Sequence, residues 1–386
     1  MTGRWGILAL LFAVRTTMGF QFQAIAALAP LIQSRYGASL ADIGLLIGLY
    51  LAPGIALATP GGGIGKRFGD KAAVVAGLAL MVAGGFLMAV SDAWGAQLAG
   101  RLLAGIGGVL LNVLMSKMVT DWFSGKEIAT AMAIFINSWP IGIALALVVL
   151  PFVGEGFGIG AAHLAAALFA AIGLIALAAL YRAPASAAAA VAPTVAQWPA
   201  GNALRALLVA GLIWGLFNAA IAMVFGFGPS MLVERGWSPA AASSTTSLVL
   251  WLVAVSVPLG GFIADRTGRN DAVLLAGNLA FAVLLVVAAR AEAVILAFVA
   301  LGLASGIAAG PIMSLPVRVL PPEMRAVGMG MFFTLFYLLV VLAPWVAGHL
   351  ATIAGSARIT FDFGAAMLAA CCVLTLAFIR LSRRPM

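Results

Sequence analysis

The sequence predicts an all-α membrane protein with twelve transmembrane helices, arranged as two pseudo-symmetric six-helix bundles. Three observations predict this fold class: an apolar composition, twelve long apolar runs and an internal repeat. Of the 386 residues, 64% are hydrophobic and only 9% are charged. Soluble domains carry about 25% charged residues, so this chain has too few charges to cover a surface in water. Lipid is therefore the expected solvent for most of its surface.

Twelve apolar runs approach the length of about 20 residues that a membrane helix needs. The apolar start of the chain continues past Arg15, so we interpret it as a retained first span and not as a cleaved signal peptide. Numbered 1 to 12, the predicted spans cover residues 5–32, 41–61, 72–90, 94–118, 127–152, 159–181, 204–231, 238–262, 272–289, 293–319, 325–352 and 361–380.

Sequence features of the first half return in the second half at a nearly constant offset. Pro30 near the end of span 1 and Pro229 near the end of span 7 are 199 residues apart. A glycine-rich loop after span 2 returns after span 8 with the same offset of 199, and a Gly-Ile pair of span 4 returns in span 10 at 201. This order predicts a duplication. The predicted domains are a bundle over 1–181, a linker rich in alanine and proline over 182–203, and a bundle over 204–386.

The basic residues predict the orientation. With both termini in the cytoplasm, fifteen Lys and Arg lie inside and four lie outside, which agrees with the positive-inside rule. We therefore expect a multi-pass protein of the cytoplasmic (inner) membrane. The net charge of +9 then reflects this bias, and no nucleic-acid partner is expected. The expected partners are the lipid bilayer and a small-molecule substrate, and the expected state is a monomer.

The loop after span 8 reads Gly261-x-x-x-Asp265-Arg266-x-Gly268-Arg269 and resembles the loop motif of the major facilitator superfamily. Its copy at 62–70 keeps Arg67 but has Lys66 at the acidic position. Arg101-x-x-x-Gly105-x-Gly107 in span 4 resembles the second motif of that family. The resemblance implies alternating access between two bundles.

In this family the loop motif latches the two halves. The resemblance therefore implies that Asp265 lies near Lys126. It also implies that Lys66 lies near Glu323. The alternative is that these are solvated loop charges. The candidate gating residues are Lys66, Arg67, Asp265, Arg266, Arg269 and Glu323.

Arg15 is the first candidate for substrate binding. It lies about ten residues into span 1, or roughly 15 Å along a helix, which places it near mid-membrane. An arginine at that depth is costly and normally faces a cavity. The alternative is an arginine whose long side chain reaches the cytoplasmic interface. Phe22 shares its helix face, and Gln23 lies near the edge of that face.

Arg101 is the second candidate. On span 4 it shares a helix face with Gly105, Gly108 and Asn112, which predicts a polar cavity wall. The alternative is close helix packing through the glycines, with Arg101 in a structural role. The predicted spans contain no Asp or Glu near their centres, and uncompensated cations favour an anionic substrate. The fork of donors on arginine suits a planar carboxylate-like or nitrate-like group.

Other polar or aromatic groups in mid-span complete the predicted site. The full set of predicted substrate-binding residues is Arg15, Phe22, Gln23, Arg101, Asn112, Asn137, Trp214, Asn218 and Tyr337.

No nucleotide-binding loop, catalytic triad or metal-ligand cluster is visible, so we expect a transporter without a cofactor and not an enzyme. Within the superfamily, the chain most resembles the cyanate, nitroimidazole and nitrate permease-like branch. The glycine-rich motifs of nitrate carriers are missing from spans 5 and 11, so a small anion is expected rather than nitrate itself. The alternatives are a multidrug or neutral-solute exporter and a non-transporting sensor on the same scaffold.

Overall fold

The computed structural model describes residues 3–57, 67–123, 128–184, 198–321 and 324–382. Within these ranges, twelve helical segments are long and apolar enough to cross a membrane, which confirms the predicted all-α fold. Spans 1 to 6 are the helices Arg4–Ala27, Leu40–Leu51 with Pro53–Leu57, Asp70–Val90, Trp94–Phe123, Ile128–Phe157 and Ile159–Leu180. Spans 7 to 12 are Gly201–Glu234, Pro239–Thr267, Asn270–Ala288, Val294–Ser305 with Ala309–Val319, Arg325–Ala354 and Arg358–Ser382.

Span 1 ends earlier than predicted. Its helix stops at Ala27, and a short helix over Ala29–Tyr36 follows after Leu28. Pro30 stands in the first turn of this short helix, where its missing N–H costs nothing. Its repeat counterpart Pro229 instead lies inside the unbroken helix of span 7.

Span 10 is predicted as one helix but is interrupted at residues 306–308. Pro311 has no N–H, so the carbonyl of Ile307 lacks its usual helical donor. At the same interruption, the Gly306 N–H donates to the Ser256 hydroxyl of span 8 at 3.1 Å. A side chain on Gly306 would collide with Ser256 and Val257, so only glycine fits this approach of the two helices.

Several other helix ends differ from the predicted boundaries, and two of them have a visible cause or consequence. Span 4 continues to Phe123, and its last turns carry Lys117, which bonds Asp121 at 2.9 Å one turn further along. A charged pair of this kind supports a helix beyond its apolar part. Span 7 begins at Gly201, so the last three residues of the predicted linker are helical. Residues 185–197 of that linker lie outside the described ranges.

Contacts between residues divide the chain into two compact units. The first unit comprises Met1–Gly37 and Leu49–Pro193, and the second comprises Ala38–Gly48 and Thr194–Met386.

Two equivalent ion pairs, one in each unit, show the repeat in three dimensions. In the first unit, Lys117 at the end of span 4 bonds Asp70 at the start of span 3, at 2.5 Å. In the second unit, Arg318 at the end of span 10 bonds Asp271 at the start of span 9, also at 2.5 Å. Both members of the second pair lie 201 residues after their counterparts. The two units therefore build the same contact from equivalent positions.

Candidate functional site

Two glycines bring spans 1 and 5 of the first unit into close contact. A Cβ on Gly19 would lie 2.6 Å from the carbonyl oxygen of Trp139, and a Cβ on Gly142 would collide with the carbonyl of Thr16. Only glycine permits such a close backbone approach. Arg15 stands one helical turn before Gly19. Its side chain can therefore reach the backbone of span 5 directly.

Arg15 is held by a set of hydrogen bonds from two neighbouring spans. Its Nε and Nη2 donate to Oδ1 of Asn112 at 3.2 and 2.9 Å. Its Nη1 donates to the carbonyls of Phe135 and Ile136 at 3.2 and 3.1 Å, and to the Ser138 hydroxyl at 3.2 Å. The guanidinium carbon also lies 4.8 Å from the centre of the Phe135 ring. Spans 4 and 5 thus hold the Arg15 side chain in one orientation.

Pro140 explains why a helical carbonyl is available to Arg15. In an α-helix the carbonyl of residue 136 accepts a bond from the N–H of residue 140. Pro140 lies inside span 5 and has no N–H, so the Ile136 carbonyl needs another donor. Arg15 supplies that donor at 3.1 Å. The proline therefore creates an acceptor for the arginine.

The hydrogen bonds that Arg15 donates to spans 4 and 5 orient its guanidinium. Each acceptor in this set is a neutral amide, carbonyl or hydroxyl. Arg15 is 9% exposed, so it is buried within the first unit. Among the described residues, every Asp and Glu lies in a loop or within two turns of a helix end. The middle of span 1 therefore carries a positive charge whose orientation is set by spans 4 and 5.

Arg101 occupies a different environment. Its Nη1 and Nη2 donate to the carbonyls of Gln21 and Phe22 at 3.0 and 2.5 Å. Its guanidinium carbon lies 4.6 Å from the centre of the Tyr50 ring and 5.4 Å from that of Phe22. Only 1% of the residue is exposed. This geometry ties span 4 to span 1 and favours the structural interpretation of Arg101.

The predicted stripe on span 4 faces neighbouring helices along its whole length. A Cβ on Gly105 would collide with the backbone of Tyr50, and one on Gly108 would lie 2.8 Å from the Tyr50 hydroxyl. Asn112, further along the same stripe, reaches Arg15. The stripe thus carries Arg101 at one end and Asn112, the partner of Arg15, at the other. The two arginines therefore lie in different surroundings.

Three more predicted residues belong to the first unit. Phe22 packs at 5.0 Å from the Trp139 ring and lies beside Arg101. Gln23 is fully buried, and Asn137 is half-buried on span 5, next to Ser138. The structure therefore gathers Arg15 and Asn112 into one group, and Arg101 and Phe22 into another.

In the second unit, Trp214 is the centre of an aromatic cluster. Its ring stacks on Phe217, Phe332 and Phe336, with ring centres 5.9, 6.3 and 6.1 Å apart. Trp214 and Phe336 are half-buried, so the cluster is partly accessible. The indole Nε1 of Trp214 is buried and has no hydrogen-bond acceptor among the described residues.

The remaining predicted residues of the second unit lie beside this cluster. Asn218 follows Trp214 by one turn and donates from Nδ2 to its carbonyl at 2.8 Å. The ring of Tyr337 lies 5.0 Å from that of Phe336, and Tyr337 is 4% exposed. We refer to Trp214, Phe217, Phe332, Phe333, Phe336 and Tyr337 as the aromatic cluster.

The candidate gating residues remain predictions. Arg67, Asp265, Arg266 and Arg269 are exposed at the ends of spans or in loops. Lys66, Lys126 and Glu323 lie outside the described residues, so both predicted pairings do as well. The described part of the chain contains no group of three side chains suited to holding a metal ion.

Several residues around Arg15 and Trp214 were not predicted from the sequence. Phe135, Ile136 and Ser138 hold Arg15, and three of their four contacts use backbone carbonyls or an aromatic face, which leave no polar signature in the sequence. The signal that was present is Pro140, four residues after Ile136. In the second unit, the phenylalanines around Trp214 could not be told from ordinary apolar residues of a membrane helix.

Comparison with known proteins agrees with this architecture. The family model described as Major Facilitator Superfamily matches residues 11–234 and 208–386, one match for each half. The inner membrane transport protein YajR of Escherichia coli (strain K12) is 32% identical over 171 residues, which cover 44% of this chain and 36% of that relative. The chain thus matches about a third of the length of this relative.

Solved structures with the same fold cover nearly the whole chain. The nucleoside transporter NupG superposes with a TM-score of 0.75 at 15% identity, over 97% of this chain and 99% of that one. A POT family transporter in complex with 5-aminolevulinic acid gives a TM-score of 0.76 at 15% identity, over 97% and 96%. A D-xylose–proton symporter gives 0.76 at 14%, over 98% and 97%. These structures share the fold of the chain, and the family match over both halves shows that the chain belongs to the major facilitator superfamily.

Proposed function

We propose that this transporter carries a small organic anion and that Arg15 binds the negative group. The observation that carries this proposal is the guanidinium of Arg15 in the middle of span 1, which five hydrogen bonds to Asn112 and span 5 hold in one orientation. A charge in a low-dielectric interior acts strongly on nearby ions, because little solvent screens it.

Several features of the first unit support this role for Arg15. The hydrogen bonds that Arg15 donates to Asn112 and span 5 restrict the rotamers of its long side chain. Less conformational entropy is therefore lost when a ligand binds. An arginine at mid-membrane depth is costly, which indicates a function that requires it. Arg101, Asn112 and the other predicted site residues are proposed as supports or contacts of this site.

Binding of anions to the purified protein tests the proposal. Small carboxylates and inorganic anions are added to wild type, and the shift in thermal unfolding is measured for each. A ligand that binds the folded state adds about 2.7 kcal/mol of stability at one hundred times its Kd. We expect at least one anion to stabilise wild type and to leave Arg15→Gln unshifted.

The matched control is Arg35→Gln, which also removes one arginine charge. Arg35 is exposed and pairs with Asp92 at 2.9 Å, outside span 1. This variant should respond to the anion as wild type does. An equal response of Arg15→Gln and wild type would refute the role of Arg15. Transport of cations that survives Arg15→Gln would instead favour the multidrug exporter.

The finer assignments of branch and topology are part of the same proposal. Membership of the cyanate, nitroimidazole and nitrate permease-like branch rests on the span 1 arginine. Cytoplasmic placement of both termini rests on the excess of fifteen inner over four outer basic residues. Reporter fusions to each terminus would test the topology, since a reporter active only outside the cytoplasm should stay silent at both ends. We also propose that the protein is a monomer. Its proposed domains are 1–181, 182–203 and 204–386.

A further inference from the structure

A cavity of about 590 Å³ lies at one end of the second unit, where spans 7 and 9 end and span 12 begins. Every residue that lines it falls within 194–386, so the cavity needs no residue of the first unit. Its charged lining consists of one carboxylate and three arginines: Glu234, Arg235, Arg290 and Arg358. The three arginines are exposed, and the cavity is therefore open at the surface.

The carboxylates at this end of the unit already have partners. Glu234 accepts the N–H of Ala357 at 2.8 Å and the hydroxyl of Ser356 at 2.9 Å, just before span 12. Asp362, one turn into span 12, accepts two hydrogen bonds from Arg290, at 2.7 and 2.9 Å. Of the three arginines, Arg290 is thus the one that a carboxylate neutralises.

Arg235 and Arg358 form no ion pair within the part of the chain that the structure describes. Arg235 donates to the carbonyl of Ala291 at 2.6 Å, which is ordinary capping of a helix end by a basic residue. Capping does not account for Arg358. This residue begins span 12, and the positive end of a helix dipole disfavours a cation and favours an anion.

We propose that this cavity binds a phosphate group. Guanidinium groups match phosphate oxygens in pairs, and two arginines without a carboxylate partner line the same space. The volume falls within the range of about 300–1,000 Å³ that is typical of small-molecule sites, so the phosphate can carry an organic group. The site belongs to the second unit and is independent of the anion site proposed at Arg15.

Two sources share this chemistry: a soluble phosphate compound and the headgroup of an anionic phospholipid. The proposed topology places this end of the unit outside the cytoplasm, where both sources have access. Val287 lies three residues before Arg290, and Ile353 lies two residues before Gly355; both are exposed apolar residues that suit contact with acyl chains. The two sources are distinguished by the choice of probe.

Thermal unfolding of the full-length protein in detergent tests the site. Inorganic phosphate supplies the group alone, with sodium chloride at equal ionic strength as its control. Dioleoylphosphatidylglycerol supplies the group on a lipid, and dioleoylglycerol has the same chains without the phosphate. We expect at least one phosphate probe to raise the unfolding temperature of wild type above its control, and the concentration dependence gives an apparent Kd.

Three substitutions locate the effect. Arg358→Gln should weaken binding about 5-fold, the factor that one charge contact near 4 Å provides in water. Asp362→Asn removes the carboxylate that neutralises Arg290 and should tighten binding by a similar factor, a gain that a damaged fold would not produce. Arg205→Gln is the matched control, because Arg205 is exposed near the opposite end of span 7. It should bind as wild type does.

Binding of inorganic phosphate that Arg358→Gln weakens would assign the site to phosphate compounds in solution. Binding of dioleoylphosphatidylglycerol alone, with the same dependence on Arg358, would assign it to a lipid headgroup. No response of wild type to either probe would overturn the proposal without any variant. Equal affinities of wild type, Arg358→Gln and Asp362→Asn would also overturn it. So would a response that Arg15→Gln removes, because the phosphate would then bind the first unit, as the proposed function expects of an anion.

Discussion

Asn112→Asp is the sharpest perturbation of the proposed anion site. Asp has nearly the shape of Asn, and its carboxylate can accept the same two bonds from Arg15, now at 2.9 and 3.2 Å. The change therefore preserves the geometry and adds a negative charge next to the guanidinium. If Arg15 is only a structural residue, this substitution should be harmless or stabilising. If Arg15 attracts an anion, the substitution should abolish that attraction.

The expected loss of binding follows from the distances. Two unit charges about 4 Å apart interact by about 4 kcal/mol at an effective dielectric constant of about 20, and by about 1 kcal/mol in bulk water. The added carboxylate repels a bound anion and so offsets its attraction to Arg15. The binding free energy weakens by an amount within this range. The predicted increase in Kd is therefore between about 5-fold and about 1,000-fold.

Two measurements on the same sample test this prediction. Isothermal titration with the best anion gives the Kd, and thermal unfolding without ligand gives the stability. We expect weaker binding with an unfolding temperature at or above that of wild type. Thr120→Asp is the matched control, because it adds the same charge to an exposed position two turns along span 4. Unchanged binding by Asn112→Asp would refute the anion role of Arg15.

Three further predictions concern the scaffold. Gly105→Ala should lower the free energy of unfolding by about 1–3 kcal/mol through overpacking, whereas Gly95→Ala, which meets nothing within 4 Å, should not; equal unfolding temperatures for the two would contradict this. Glu234 accepts the N–H of Ala357 at 2.8 Å, just before the helix Arg358–Ser382, so Glu234→Gln should lower the free energy of unfolding by about 1 kcal/mol, and an unchanged unfolding temperature would refute the stabilising role of this bond. Burial raises the pKa of Tyr181 from 10.0 to about 12, so unfolding releases a proton between these values and stability should fall above pH 10; a Tyr181→Phe variant with the same alkaline fall would show another cause.

The fold could be predicted from the sequence because membrane helices obey one-dimensional rules. A lipid-facing helix must be apolar over its whole length and must satisfy its own backbone, so composition and run length predict each span. The duplication was visible because the equivalent glycines Gly105 and Gly306 both permit a close approach of a neighbouring helix, which a larger residue would block. The interruption of span 10 was not predicted, because a proline such as Pro311 also occurs inside helices that bend without a break.

The candidate site was predicted only in part. Periodicity places Arg101, Gly105, Gly108 and Asn112 on one face of span 4, and the structure agrees. Helical periodicity describes one helix at a time, however, and cannot say which neighbour each position meets. Asn112 bonds Arg15, which is 97 residues away, while Arg101 bonds carbonyls of span 1.

The sequence by itself determined the twelve spans, the repeat and a charged residue in the middle of span 1, because burial in lipid makes each of these visible in residue type alone. Only the tertiary structure decided what surrounds that charge. The acceptors of Arg15 include backbone carbonyls, which are identical in every residue, and one of them is available only because Pro140 lacks an N–H. Such contacts depend on how the helices pack, and close packing at Gly19 and Gly142 brings them within reach.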